Sequence, residues 1–480
     1  MRHYSFEKLL AFAMTTVATS IASAADPALT IYRSDSDALF AAGNQPIADG
    51  HAIVHEQRKL QLDGGRQDVV IDGLPTMLDT EAVAIELGGA ARVLGQRVIS
   101  AGDSGLLAAH RGERVQVFAA DGRQVADGIV VAVDGNSLGI RANDGRISYL
   151  REYARVEFAE GSGLPGSTLQ LAVDGKAGAA PATLTYPTSG LGWRAAYSAL
   201  LLGDDGCRLR LDALASIANR SGRDFAGAKL KLIAGSPNFA KYDQGPRVMM
   251  MKAAAAPAPA PDGMPEQSSL GDYRSYSIDG ILDLPDASVT QVPLYAGSEL
   301  ACERRWLYES GNAWFPPKPM FEPDAWQNGG GPVQSQLRFA AAENLPAGNL
   351  RVLTRDKDGR SELLGENRIA DVAKGRDVQV NLGTAFDLAA ARERTAFEID
   401  KGARRMDEGF RITLTNTGEH GRMITVREHP NRWRGWSLVS SSQKAGKQTP
   451  DLLEFRVDVP ANGKTVLDYV VRYSWTAAEE

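Results

Sequence analysis

Five short stretches carry residue types that could do chemistry. Gly135-Asn-Ser-Leu-Gly139 has the spacing of a nucleophile elbow, in which a serine sits on a sharp strand-to-helix turn whose N–H groups support an oxyanion. Here it lies between two short apolar runs, so the helix is missing and Ser137 is set aside as a nucleophile. Gly161-Ser-Gly-Leu-Pro-Gly166 has dinucleotide-loop spacing, which requires a strand before it and a helix after it. Pro165 and the strand-like Thr168–Val173 deny that helix, so the stretch reads as a connector. His51 and His55 share a face if Ala52–Leu62 is a strand, with Glu56 adjacent. A zinc site would want a third ligand and helical H-E-x-x-H spacing, so solvent-facing strand histidines are expected. Asp356-Lys-Asp-Gly359 with Glu362 lacks the calcium-loop spacing and reads as an Asp-Gly hairpin turn. No pair of carboxylates is marked as facing one cleft. No catalytic residue, metal or cofactor is therefore expected.

The fifth stretch is aromatic. Trp306, Tyr308, Trp314, Phe315, Phe321 and Trp326 crowd a segment containing Pro316, Pro317, Pro319 and Gly329–Gly331. Large rings on stiff loops can stack on sugars or peptides at low entropic cost. Trp306, Tyr308, Trp314, Phe315 and Trp326 are thus the candidate ligand-binding surface, the alternative being rings that cover the end of a core. Trp433 and Trp436, interleaved with Arg432 and Arg434, form a smaller patch for which packing is expected.

The elements that must position these residues read as strands. In Thr183–Pro237, the runs Thr183–Tyr186, Ala195–Leu202, Leu209–Ile217 and Ala228–Ala234 are cut by Gly, Asp and Ser turns, the mark of a packed sheet. Trp193 follows one such turn and is expected in the core. Arg114–Ala119, Gly128–Val133, Ser137–Ala142, Arg146–Tyr149 and Ala154–Phe158 are joined by Asp-Gly turns at 121, 134 and 144. Five such strands suggest a small SH3/Sm-like β-barrel. The fold class is all-β with essentially no helix after residue 25. The expected divisions are an N-terminal β domain at 26–103, the small barrel at 104–160 and a β-sandwich unit at 161–246. A flexible Ala/Pro-rich loop or linker at 247–270 and a C-terminal β-sandwich region at 271–480 follow. The polar turns Asn219-Arg-Ser-Gly222 and Asn416-Thr-Gly418 hint at two related sandwich units.

Residues 1–25 have the form of a signal peptide. Arg2 and Lys8 start it, Leu9–Ile21 is apolar, and Ala22-Ser-Ala24 gives small-x-small cleavage spacing. That run is shorter than the ~20 residues of a bilayer span, and no later stretch approaches that length. The expectation is a periplasmic or secreted protein without a transmembrane segment once the signal is removed. The net charge of −6 gives no polyanion signal, so nucleic acid is not an expected partner. Cys207 and Cys302 are the two cysteines. An oxidising compartment permits a disulfide between them, the alternative being two small buried thiols.

Several segments together resemble the mucoidy-inhibitor-A-like proteins, bacterial exported proteins of unknown biochemical function. The resemblance is carried by Leu184-Thr-Tyr-Pro-Thr-Ser-Gly-Leu-Gly-Trp193-Arg-Ala-Ala-Tyr197, Asn219-Arg-Ser-Gly-Arg-Asp-Phe225 and Leu230-Lys-Leu-Ile-Ala-Gly235. It continues through Asp358–Glu366, Gly383-Thr-Ala-Phe-Asp387, Arg392–Thr395 and the runs Arg411–Asn416, Ile424–Glu428 and Thr465–Trp475. It implies a β-rich envelope protein linked to exopolysaccharide. Longer members look as if they carry a helical insert where this chain has its Asp-Gly-rich strands. The functional expectation is a non-enzymatic binding or scaffold module whose partner is an envelope protein or polysaccharide. The alternative is a hydrolase acting on an envelope glycan through unassigned carboxylates.

Overall fold

Apolar runs of period two, cut by Gly, Pro and Asp-Gly turns, fold here as antiparallel ladders for the most part. A computed structural model describes residues 26–480 apart from 44, 90, 101–106, 109, 135–136, 159–165, 204–205, 236, 238, 240–265 and 324–328. The expected signal peptide and most of the Ala/Pro stretch thus lie outside the described residues. The first elements are β1 (Ala28–Tyr32), the one-turn helix α1 (Asp37–Phe40), β2 (Ala52–Leu62), β3 (Gly65–Leu74), β4 (Ala84–Leu87) and β5 (Arg92–Ile99). Next come β6 (Arg114–Phe118), β7 (Gln124–Asp134), β8 (Ser137–Arg141), β9 (Ile147–Leu150) and β10 (Arg155–Glu157). The middle of the chain supplies β11 (Ser167–Gly175), β12 (Gly178–Thr188), β13 (Leu191–Leu201), β14 (Arg208–Asn219), β15 (Phe225–Ala234), β16 (Glu266–Leu270), β17 (Tyr273–Ser277) and β18 (Leu282–Leu284). After these run β19 (Ser288–Ser310), β20 (Gly329–Ala340), β21 (Gly348–Arg355), β22 (Ser361–Ile369), β23 (Asp377–Asp400) and β24 (Arg405–Asn416). The last are β25 (Arg422–Glu428), β26 (Trp436–Ser441), β27 (Ala445–Thr449), β28 (Leu452–Val459) and β29 (Gly463–Ser474).

The chain divides into two compact units. One takes in the chain up to Arg194 together with Leu214–Tyr295, the other Ala195–Ala213 with Ala296–Glu480. In the first unit an eight-stranded sheet runs β16-β17-β15-β1-β2-β12-β4 with β18 beside β15, and β3-β11-β5 form a second sheet. The expected N-terminal domain at 26–103 is therefore not separate: β1 pairs β15 in parallel and β2 pairs β12. Strands of four or five residues such as β1 and β4 bury too little to stand apart, so they complete a sheet whose long members come later in the chain. The expected loop at 247–270 ends earlier than its composition suggests, because Glu266–Leu270 pairs in register with β17. Trp193 is fully buried, with its indole N–H donating to the Ile233 carbonyl at 2.9 Å and its ring edge-on to Tyr276.

The five anticipated strands between 114 and 158 form one sheet in the order β10-β6-β7-β8-β9 around Val115, Val117, Val130, Leu138 and Ile140. It is an open sheet, not the closed barrel expected. Among the described residues β10 pairs β6 and does not meet β9, so the sheet stays open.

In the second unit the strand path is β22-β21-β13-β14-β19-β20-β23-β24-β29-β26, with β25 pairing β19 and β28 and with β27 pairing β28. Its core gathers Val333, Ile412, Leu414, Ile424, Val426, Phe455, Val457, Leu467 and Trp433. Cys207 and Cys302 form a disulfide with their Cα atoms 4.9 Å apart. The Asn219 and Asn416 turns share a pattern in their own units. Each Asn Oδ1 accepts the N–H two residues on, from Ser221 and Gly418, and each Nδ2 donates to the carbonyl four residues on, of Arg223 and His420.

Candidate functional site

Alternation along β28, β25, β19, β20 and β23, broken by bulges between β20 and β23, sorts their side chains onto two faces. Leu453, Phe455, Val457, Ile424, Val426, Val333, Leu337, Phe339, Val378 and Val380 turn into the core. The other face carries Glu454, Arg456, Met423, Thr425, Arg427, Arg305, Gln334, Gln336, Arg338, Gln379 and Asn381. Register aligns them in rows. Arg456 stands opposite Thr425, Thr425 beside Leu307, and Leu307 opposite Gln334. The Gln379 amide donates to Gln336 at 2.8 Å and the Asn381 amide to Gln334 at 3.2 Å. Arg427 reaches Glu454 at 3.3 Å, and Arg305 reaches Glu303 at 2.9 Å. That hydrogen bond from Arg305 holds the Glu303 carboxyl below its ordinary range. Arg456 is exposed and has no ion-pair or hydrogen-bond partner among the described residues. A shallow groove of ≈ 120 Å³ runs here, lined by Arg305, Trp306, Gln336, Thr425, Arg427 and Arg456 among others.

The structure separates the aromatic candidates. Trp306 borders this groove only from the core side of β19: it is half-buried, aligned with Ile424 and packed against the core, with the Arg422 guanidinium 4.5 Å from its ring centre and that of Arg304 at 5.9 Å. Tyr308 is a correction: at 3% exposed it belongs to the core, because β19 continues through Ser310 and carries position 308 to the inward side. Trp314 is 48% exposed on the loop after β19, Phe315 is half-buried there, and Trp326 lies outside the described residues. Trp433 is buried and Trp436 donates its indole N–H to the Pro450 carbonyl at 2.6 Å, so that patch is packing. His55 is exposed against Thr185, and Asp356 accepts the N–H groups of Asp358 and Arg360, as a hairpin turn requires.

Buried ion pairs are the features that sequence reading missed. In the second unit Glu428 accepts from Arg392 at 3.0 Å and from the Tyr469 hydroxyl at 2.6 Å. Glu408 accepts from the fully buried Arg432 at 2.8 Å. Burial raises both carboxyls above their usual range despite these arginines. Both carboxyls line a cavity of ≈ 80 Å³ with Tyr473 and Asn431, well short of the ~300–1,000 Å³ of a small-molecule pocket. Arg432 also donates to the carbonyls of Met320 and Glu322, which ties down the Pro-rich loop. In the first unit burial would raise Glu56, but Arg223 at 2.8 Å and Arg58 at 3.0 Å outweigh it and hold the carboxyl low. His110 stands 2.9 Å from Asp72 and 3.0 Å from Glu113. Burial would lower it, but the two carboxylates win and carry it to about 9. The missed signal was parity: Glu56 and Arg58 occupy the inward positions of β2 with Val54 and Leu60.

Fold and site define an all-β protein with an open, hydrogen-bonding sheet face over a core braced by buried ion pairs. Residues 182–477 match the family described as a domain of unknown function, DUF4139, and the chain belongs to that family. No curated protein matches the chain.

Proposed function

We propose that this protein is an exported binding or scaffold module of the cell envelope, working without catalysis, and that it holds a hydroxyl-rich polysaccharide along the polar sheet face of its second unit. The observation that carries this reading is the ladder of guanidinium, amide and hydroxyl groups from Arg456 and Thr425 to Gln334 and Gln336. Planar guanidinium and amide groups offer paired donors and acceptors to neighbouring hydroxyls, and a strand-length groove suits an extended chain. The resemblance to mucoidy-inhibitor-like proteins supports the link to exopolysaccharide, and the disulfide accords with an oxidising compartment. The test is retention of the protein on immobilised exopolysaccharide from its own cells. Arg456→Ala with Gln336→Ala should weaken retention ~10-fold or more, as loss of two to three charged or neutral hydrogen bonds does, with unfolding unchanged. Equal retention of parent and variant, or none by the parent, would defeat the proposal.

A further inference from the structure

The five-strand sheet of the first unit ends at β9, which among the described residues pairs only β8. The Ala142 N–H donates to the Arg146 carbonyl at 2.9 Å where this hairpin closes. Antiparallel pairs alternate between hydrogen-bonded and open, so Ser148 and Leu150 turn their main-chain groups toward β8. The N–H and C=O of Ile147 and Tyr149 therefore point away from the sheet. Both residues are exposed, Ile147 by 49% and Tyr149 by 64%.

Their side chains share one face with neighbours on the adjoining strands. Register sets Ile147 opposite Arg141 and Arg141 opposite the exposed Ile129. Tyr149 lies across Gly139, where a Cβ would stand 3.0 Å from the ring. The missing side chain lets the ring rest on the sheet and form an apolar shelf along the edge. Proteins usually blunt such an edge by keeping it short, as the four residues of β9 do, or with charged side chains, proline or a bulge. Within Ile147-Ser-Tyr-Leu150 there is no proline, charged residue or bulge, and its pairing with β8 runs without a register shift. Exposed Arg146, which also pairs with Asp144 at 2.6 Å, and exposed Arg151 flank it instead, with exposed Arg141 beside it.

We propose that β9 is a docking edge for an extended peptide of alternating aliphatic and acidic residues, which adds to the sheet as a further strand. Strand addition supplies main-chain hydrogen bonds from the edge and specificity from alternate side chains. The aliphatic residues would rest on Ile147 and Tyr149; the acidic ones, turned to the other face, would meet Arg146, with Arg151 at the far end of the edge adding to the positive field. A second copy is the poorer occupant, since edge-to-edge self-pairing crowds Arg146 and Arg151 of both chains around one four-residue ladder.

The full-length protein is titrated with the labelled peptide acetyl-Glu-Val-Glu-Val-Glu-Val-amide and with its Lys-for-Glu counterpart, read by anisotropy and by amide exchange over 147–150. The acidic peptide should bind about tenfold or more tightly than the basic one and slow exchange at 147–150. Tyr149→Pro removes one outward N–H at a position where an edge tolerates proline, and should abolish binding. Arg146→Glu with Arg151→Glu should reverse the peptide preference, which keeps the test valid should Tyr149→Pro fail to fold. Equal binding of the two peptides, unchanged exchange at 147–150, or an unreversed preference would overturn the proposal. So would a dimer in sedimentation that Tyr149→Pro dissolves, since a second copy would then own the edge.

Discussion

Single side chains do unequal work here, and the buried ones with polar handles matter most. Trp193 fills the first unit's interior and also satisfies the Ile233 carbonyl. Trp193→Ala should cost ~3–5 kcal/mol, as large core truncations do, read from urea unfolding. His110 adds a pH dependence. Its rise from 6.5 to about 9 corresponds to about 3 kcal/mol of stabilisation. The histidine gains its partners in the folded state, so this stabilisation is full below 6.5, declines between 6.5 and 9, and is lost above 9. The parent's urea midpoint should fall across that window, and His110→Asn should flatten the fall. An equally steep fall in the variant would mean that other groups govern it. Trp193 was legible in the sequence because a ring after a tight turn, entering an apolar strand, has few other places to go. His110 was not, because Asp72 lies on a strand remote in sequence and only tertiary pairing brings it close.

At the scale of elements, period-two alternation located β2 at Ala52–Leu62, and the Asp-Gly turns located the strands between 114 and 158. Pairing was not legible. Nothing local says that β1 lies parallel to β15 or that Glu266–Leu270 joins β17, since those partners are chosen by distant hydrogen-bonding edges. The disulfide joins the residue before β14 to β19 across 95 positions. Chain-entropy reasoning for a loop of that size gives at most ~5 kcal/mol, and native bridges commonly yield ~2–4 kcal/mol. Reduction should therefore lower stability by that amount in urea titrations with and without reductant. A loop is secured in another way by Arg432, whose fork reaches Glu408 and the carbonyls of Met320 and Glu322. Arg432→Lys keeps the charge but loses the fork, so proteolysis between 311 and 323 should quicken while the sheets stay folded. Unchanged cleavage would show that the loop is held by Phe321 against Trp475.

Across the whole molecule, the all-β class was legible because every long apolar run after residue 25 had strand length and strand rhythm. The candidate surface was half legible. Composition pointed to the segment containing Trp306, yet the groove also needs Gln336, Thr425 and Arg456 from three other strands, and no local pattern links them. Trp306 and Tyr308, two apart on β19 and both turned to the core side, show the limit of composition: ring type does not report which side of a strand faces solvent. Hydrogen–deuterium exchange of the intact protein, with and without exopolysaccharide from its own cells, tests the central claim most directly. Exchange should slow at 303–307, 334–338, 423–427 and 454–456 and nowhere else. Unchanged exchange in these four segments, or protection confined to other parts of the chain, would contradict it.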